Sequence, residues 1–212
     1  FRNAPRIDHP VRELIGSLMY IACHTRPDIA FTVNYLSRHV NNPSEALWKA
    51  AKRALRYLIC TSDLSLTVEQ CDNFDIRTFT DSGGANSFTD NMTAGVAVFV
   101  GNNLVSWSSR KDTNACVSMT EWELSALLQG MCIGDNLRQI LKEELGIESQ
   151  MTLYCDCTST IQDVKRGTAK RTRHLNYKNR QLMASMLEDG TQILYVNTKE
   201  QVADIFTKIL PS

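Results

Sequence analysis

The hydrophobic period of this chain changes once, at Thr61-Ser62-Asp63, and the order of signals beyond that point restricts the fold more than any other feature. Three stretches of strand composition follow in a row: Phe74 to Thr80, Ala94 to Val100 and Leu104 to Ser108. Gly101-Asn102-Asn103 is a hairpin turn between the last two. A long helical pattern from Ser118 to Leu145 then stops at Gly146. Met151 to Cys155 reads as a strand, Thr158 to Arg166 and Leu175 to Leu187 as helices, and Gln192 to Val196 as a strand. A last helix is expected over Lys199 to Lys208, behind a Thr198-x-x-Gln201 capping box. Hairpin-linked strands can only pair antiparallel, whereas strands separated by helices can return parallel. The β-β-β-α-β-α-α-β-α order therefore predicts an α/β domain, a mixed sheet flanked by helices.

The residues before the change are helical. Pro10 to Ala22 carries Leu14, Leu18 and Ile21 at helical spacing, Arg26-Pro27-Asp28 interrupts, and Asp28 to Val40 resumes. Ser44 is an N-cap for a helix from Glu45 to about Ile59. That helix turns Leu47, Ala51, Leu55 and Leu58 inward and Lys49, Lys52, Arg53 and Arg56 outward. The basic face is either a solvated surface or one that follows a phosphate backbone. Two domains are expected, a small helical segment at 1–62 and the mixed-sheet domain at 63–212.

Composition removes several function classes. The chain has 212 residues, enough for a core, with 43% hydrophobic and 22% charged residues, so it is not disordered, collagenous or a coiled coil. Its 23 basic and 23 acidic side chains cancel, which excludes a uniformly basic coat but not a local basic track. Apolar runs such as Leu14 to Cys23 are too short for a membrane span, and Phe1-Arg2-Asn3 opens no secretory leader. Seven scattered cysteines without C-x-x-C fit reduced thiols, and Cys155-Asp156-Cys157 lacks partners for a zinc site. An intracellular location, cytoplasmic or nuclear and not secreted, is expected, with no membrane partner.

Four acids fall where a fold of this order concentrates chemistry. Asp81 closes the first strand, Asp156 closes the fourth, Glu123 starts the long helix and Asp204 lies in the last. A carboxylate at the end of an apolar strand is costly unless solvated or paired, and several together repel. A hard divalent cation is their natural partner. Taken singly, each is equally an ordinary turn-capping residue. Glu121 and Glu123 project about 160° apart around a helix axis and cannot serve one site. Leu127, Met131, Leu141 and Leu145 project within roughly 80° of Glu123, so Glu123 is the one that faces the sheet.

Ordered motifs along nearly the whole chain resemble the C-terminal part of copia-type LTR-retrotransposon Pol polyproteins. Leu14-Ile15-Gly16-Ser17-Leu18-Met19-Tyr20, Thr25-Arg26-Pro27-Asp28-Ile29-Ala30 and Trp48-Lys49-Ala50-Ala51-Lys52-Arg53 are similar to the end of reverse transcriptase, its thumb or connection. Ser106-Trp107-Ser108-Ser109-Arg110-Lys111, Tyr154-Cys155-Asp156, Arg171-Thr172-Arg173-His174 and Ala203-Asp204-Ile205-Phe206-Thr207-Lys208 resemble the ribonuclease H domain that follows. The resemblance implies an RNase H-like fold and cleavage of the RNA strand of RNA/DNA hybrids. It implies two Mg²⁺ ions, with Mn²⁺ as a substitute, and Asp81, Glu123, Asp156 and Asp204 as their ligands. Metals so held activate water and stabilise the phosphorane. No small-molecule cofactor and no polymerase activity are expected.

The chain departs from the family where Trp usually follows the first Asp; here the stretch is Ser82-Gly83-Gly84-Ala85. It also has Asn176 in place of an Asp, and Cys157 where Asn is common. The second reading is therefore a non-catalytic nucleic-acid-binding or structural remnant of such a domain.

Expected partners are the hybrid duplex and the remainder of the reverse transcriptase. From 165 to 180 the chain has seven Lys or Arg and no acid. Lys165, Arg166, Lys170, Arg171, Arg173, His174 and Lys178 are the candidate phosphate contacts there, with Lys49, Lys52, Arg53 and Arg56 on the early helix. Shape and 2′-hydroxyls would identify the hybrid.

Overall fold

Apolar residues four and three apart make the first unit, which runs to Thr67. A computed structural model describes residues 5, 7–83, 92–112, 118–167 and 176–208, with only the backbone described at 176–178. Helix α1 (Val11–His24) buries Val11, Ile15, Leu18 and Ala22. This stripe is rotated slightly from the Leu14–Leu18–Ile21 spacing, and Leu14 and Ile21 are half-buried on its flank. A 3₁₀ turn at Pro27–Ile29 leads into α2 (Ala30–Ser37). Ser44 caps α3 (Glu45–Cys60) through the Leu47 backbone N–H. Leu47, Ala51, Ala54 and Leu58 form the buried face of α3.

The second unit, Val68–Thr207, holds the sheet. Its strands are β1 (Ile76–Gly83), β2 (Thr93–Val100), β3 (Asn103–Lys111), β4 (Met151–Cys155) and β5 (Gln192–Tyr195). They lie in the order β3-β2-β1-β4-β5. β1 pairs antiparallel with β2 and β2 with β3, while β1–β4 and β4–β5 are parallel. The expected mixed sheet flanked by helices is thus realised. Helices α4 (Met119–Leu145), α5 (Thr158–Arg166) and α6 (Asn176–Glu188) complete it. Ile76, Val96, Val98, Met151, Leu153 and Ile193 from the sheet form one core with Leu124, Leu127, Ile161, Val164 and Leu182 from the helices. Among the described residues no helix is long and apolar enough to cross a membrane.

Two elements differ from the sequence expectation, and both bear on the site. β1 does not end at Asp81. It continues to Gly83, because Asp81, Ser82 and Gly83 pair with Gly95, Ala94 and Thr93, small residues that keep the ladder going past the last aromatic. The expected helix over Lys199–Lys208 is instead two 3₁₀ turns, Thr198–Glu200 and Val202–Phe206. Asn197, not Thr198, caps the first turn. The Gln201 side chain caps the second through the Ala203 N–H and donates to the Thr80 carbonyl at 2.9 Å. Tethered to β1 and accepting at the Phe206 carbonyl from Ser109 Oγ, the segment winds tightly instead of continuing as an α-helix.

Candidate active site

Strand alternation sorts β1 into two rows. Thr78 and Thr80 face α4, where an added Cβ on Gly130 would lie 2.5 Å from Thr80 Cγ2 and 2.9 Å from Thr78 Cγ2. Ser82 continues that row, and its Oγ donates to Glu123 Oε1 at 2.6 Å. Glu123 stands near the start of α4, whose first turn is capped by Ser118, and its bond to Ser82 ties that end of the helix to the end of β1. On β4, Cys155 occupies the same face and its thiol lies 4.0 Å from Glu123 Oε2. The neighbouring Glu121 is buried too, on the other flank of the helix.

Asp81 belongs to the opposite row, with Phe79 and Gly83. Phe79 stacks on Tyr154 at 4.7 Å, and these two are also partners in the parallel β1–β4 register. Asp81 and Asp156 each follow that pair by two residues, so the two acids come off adjacent parallel strands at the same level. Asp156 Oδ2 accepts from Thr198 Oγ1 at 3.0 Å. Glu123, Cys155 and Asp156 each offer a ligand atom, and the three atoms lie within 4.8 Å of one another.

Asp204 sits in the second 3₁₀ turn, which packs against β1 and β2. Its carboxylate is outside the 4.8 Å group, as is that of Asp81. Asp81 is nevertheless tied to the same turn, since its Oδ2 accepts a hydrogen bond from Thr207 Oγ1.

The electrostatics follow from burial. Burial pushes the Glu123 carboxyl up to about 8; the Ser82 hydroxyl opposes this, and the charges of Asp81 and Asp156 add to it. Burial, with Glu123 beside it, also holds the Cys155 thiol well above its usual range. The group brings carboxylate oxygens of the buried Glu123 and the half-buried Asp156 together beside the buried Cys155 thiol. A hard divalent ion fits the carboxylate oxygens of that set, because its charge would offset the burial and like-charge costs that now favour the protonated Glu123. Cys155 remains a thiol donor toward Glu123 in this arrangement.

The basic residues divide between the two units. On α3, Lys49, Lys52, Arg53 and Arg56 are exposed, and Lys52 Nζ lies 5.2 Å from the centre of the Trp48 ring. Lys165 and Arg166 are exposed at the end of α5, which Gly167 terminates at φ +69°. Lys170, Arg171, Arg173 and His174 lie outside the described residues, and Lys178 is placed in α6 by its backbone alone. Sequence reasoning missed Ser82, Thr198, Gln201 and Thr207. Ser82 adjoins a predicted acid in sequence, whereas Thr198, Gln201 and Thr207 reach Asp156, Thr80 and Asp81 only through the fold.

No protein-family profile matches the chain. It is 31% identical over 209 residues to the retrovirus-related Pol polyprotein from transposon RE2 of Arabidopsis thaliana, covering 94% of this chain and 14% of that protein. It is 30% identical over 205 residues to the Pol polyprotein from transposon TNT 1-94 of Nicotiana tabacum, covering 95% of this chain and 15% of that protein. The chain thus spans about a seventh of the length of these curated relatives. Among solved structures it is similar to LC11-RNase H1 from compost, in complex with an RNA/DNA hybrid, at 14% identity and a TM-score of 0.49 over 63% of this chain and 94% of that one. Sequence similarity along almost its whole length makes this chain a homologue of part of the retrovirus-related Pol polyproteins of plant transposons.

Proposed function

We propose that the mixed-sheet domain is a ribonuclease H that hydrolyses the RNA strand of RNA/DNA hybrids during reverse transcription, with divalent cations, Mg²⁺ in the first place, held by Asp81, Glu123, Asp156 and Asp204. The observation that carries the reading is the meeting of Glu123 and Asp156 within 4.8 Å, with Asp81 on the neighbouring strand at the level of Asp156. When bound, such cations polarise the scissile phosphate and make water nucleophilic near neutral pH.

The chain's own residues supply the positioning. Ser82 orients one oxygen of Glu123 and Cys155 approaches the other. Thr198 orients Asp156 from the loop after β5. Glu123 must give up its proton to act as a ligand, so cation binding is expected to release a proton at neutral pH. Lys165 and Arg166, with the basic residues that follow them, supply phosphate contacts that do not read sequence. The early helical segment, with its Lys49–Arg56 face, is read as the end of the polymerase, contributing further backbone contacts to the duplex.

The test is Mg²⁺-dependent cleavage of a hybrid carrying end-labelled RNA by the full 212-residue chain, compared with Asp81→Asn and Asp156→Asn. Both variants should bind hybrid and keep the wild-type far-UV spectrum while cleavage falls by at least about a thousandfold, as expected when a ligand of a catalytic metal is removed. Cleavage at the wild-type rate by both variants would overturn the assignment. Hybrid binding without any cleavage by the wild-type chain would favour the non-catalytic remnant.

A further inference from the structure

We infer that Thr207 is a positioning residue for the cation site, and that Gly83 and Gly95 form the socket that seats it. The inference rests on the reading of Asp81 and Asp204 as cation ligands. Asp81 is on a strand and Asp204 is on an irregular turn, so something must set their separation. Thr207 touches both segments and reaches a carboxylate on one of them. Its hydroxyl donates to Asp81 Oδ2, and the same oxygen lies 3.3 Å from the Asp204 carbonyl, which also accepts from the Thr207 backbone N–H at 3.1 Å.

The socket is visible in what the two glycines exclude. Asp81 and Gly95 are partners in the β1–β2 register and so present the same face of the sheet. An added Cβ on Gly95 would lie 2.6 Å from Thr207 Cγ2, 2.9 Å from the Ala203 carbonyl and 3.0 Å from Phe206 Cβ. An added Cβ on Gly83 would lie 2.5 Å from the Thr207 carbonyl and 2.6 Å from Thr207 Cβ. Both contacts are too short for any side chain, so the bare backbone of two adjacent strands is what lets the turn approach. Within the socket the Thr207 methyl lies over Gly95, its Cβ over Gly83, and its hydroxyl reaches Asp81. Two other tethers, Gln201 to the Thr80 carbonyl and Ser109 to the Phe206 carbonyl, hold the turn flat on the sheet. Neither of them touches an acid; Thr207 alone among the three carries the position of the turn to a carboxylate.

The hydroxyl therefore orients a ligand oxygen of Asp81 without itself meeting substrate or cation, the role that outer-shell hydrogen bonds play at metal sites. Thr207→Val keeps the shape and removes the donor; Thr207→Ser keeps the donor and removes the methyl. Mg²⁺ affinity is measured by isothermal titration calorimetry on the full chain, with thermal unfolding and hybrid cleavage recorded separately. Thr207→Val should weaken Mg²⁺ binding by about tenfold or more, the usual consequence of losing an outer-shell partner. Thr207→Ser should stay within about threefold of wild type on the same scale, with both variants as cooperatively folded as the parent. Wild-type Mg²⁺ affinity in Thr207→Val, or equal losses in the Val and Ser variants, would overturn the inference. A wild-type chain that binds Mg²⁺ but does not cleave, with the Val–Ser difference intact, would overturn the ribonuclease reading and leave Thr207 as a positioning residue. A wild-type chain that binds no Mg²⁺ would overturn both.

Discussion

The Ser82 hydroxyl and the Glu123 carboxylate form a buried 2.6 Å hydrogen bond that joins the end of β1 to the first turns of α4. Both residues are buried, so neither group can exchange its partner for bulk water. Ser82→Ala leaves a carboxyl oxygen without its donor, a change that costs about 1–3 kcal/mol at buried sites. Because the hydroxyl is the stronger of the two Ser82 contacts that pull the Glu123 carboxyl down, the other being the Ser82 backbone, its removal should move Glu123 further above 8. Carbon-detected NMR of the side-chain carboxyls in metal-free protein reads this directly. An unchanged Glu123 titration would show that the bond carries no weight.

The same carboxyl gives stability a pH dependence whose sign is unusual for an acid. Glu123 titrates at about 8 in the folded chain and near 4.5 when unfolded. Between those values the folded state holds a proton that the unfolded state releases. The contribution is complete below the unfolded value and is lost as pH rises toward 8. In EDTA, the urea midpoint should therefore fall from pH 5.5 to pH 8, by up to about 1.4 kcal/mol per pH unit for this one group. Glu123→Gln should flatten that slope and exceed wild type at pH 8. Saturating Mg²⁺ should shrink the difference, because the ion favours the carboxylate. A midpoint rising over this range in EDTA, and unaffected by Glu123→Gln, would contradict the burial argument.

Two glycines in helices should respond in opposite directions to Ala. Gly130 of α4 lies on the β1 threonines, and a Cβ there meets Thr80 Cγ2 at 2.5 Å. Threonine χ1 is stiff and the contact is buried, so overpacking of about 1–3 kcal/mol outweighs the helix gain of about 1 kcal/mol. Gly16 of α1 faces open space, with nothing within 4 Å of an added Cβ. Gly16→Ala should stabilise by about 0.5–1 kcal/mol. Urea denaturation of both variants checks the pair, and a stabilising Gly130→Ala would mean that α4 is not seated as described.

These contrasts show which parts of the structure could be read from the chain. Helices α3 and α4 were legible because Ser44, Ser118 and Gly146 punctuate long apolar periods, and the structure uses all three as caps. The mixed character of the sheet was legible because hairpin-linked and helix-linked strands have different pairing options; the order of its strands was not. The end of β1 was not, since Asp81-Ser82-Gly83 has no strand propensity and is kept in the ladder by the small residues of β2. The last helix was misread for a related reason. Its local pattern fits an α-helix, but hydrogen bonds from Gln201 and Ser109, made across the sheet, set its actual winding. Acids could be picked by strand-end position; the hydroxyls that orient them, Ser82, Thr198 and Thr207, become visible only when segments far apart in sequence are brought together.

The first unit offers an independent test, in an ion pair between the buried Arg26 and the partly exposed Asp28 at the junction of its helices. Arg26 reaches both carboxylate oxygens of Asp28, at 2.9 and 2.7 Å, and the Thr61 carbonyl and hydroxyl, at 2.9 and 2.7 Å. The Tyr57 hydroxyl donates to Asp28 Oδ2 at 2.9 Å. Burial alone would raise the Asp28 carboxyl, but the hydrogen bonds from Arg26 and Tyr57 and the Arg26 charge outweigh it and hold it below the usual range. For an acid depressed on folding, stability is present above the unfolded value and is lost as pH falls through the folded one. The unit should therefore weaken only below about pH 4, the ordinary range for an aspartate. Asp28→Asn leaves the buried Arg26 guanidinium without its counter-charge, and loss of one partner of a buried pair typically costs about 3–5 kcal/mol. Asp28 is a third exposed, so a loss nearer 2 kcal/mol, an order-of-magnitude figure, is expected here. With Trp107 and Trp122 replaced by Phe, the fluorescence of Trp48 on α3 reports this unit. Asp28→Asn should lower its urea midpoint at pH 7 and reduce its sensitivity between pH 4 and pH 2.5. Equal midpoints at pH 7 would show that the Arg26–Asp28 contact is incidental to the packing of α1 on α3.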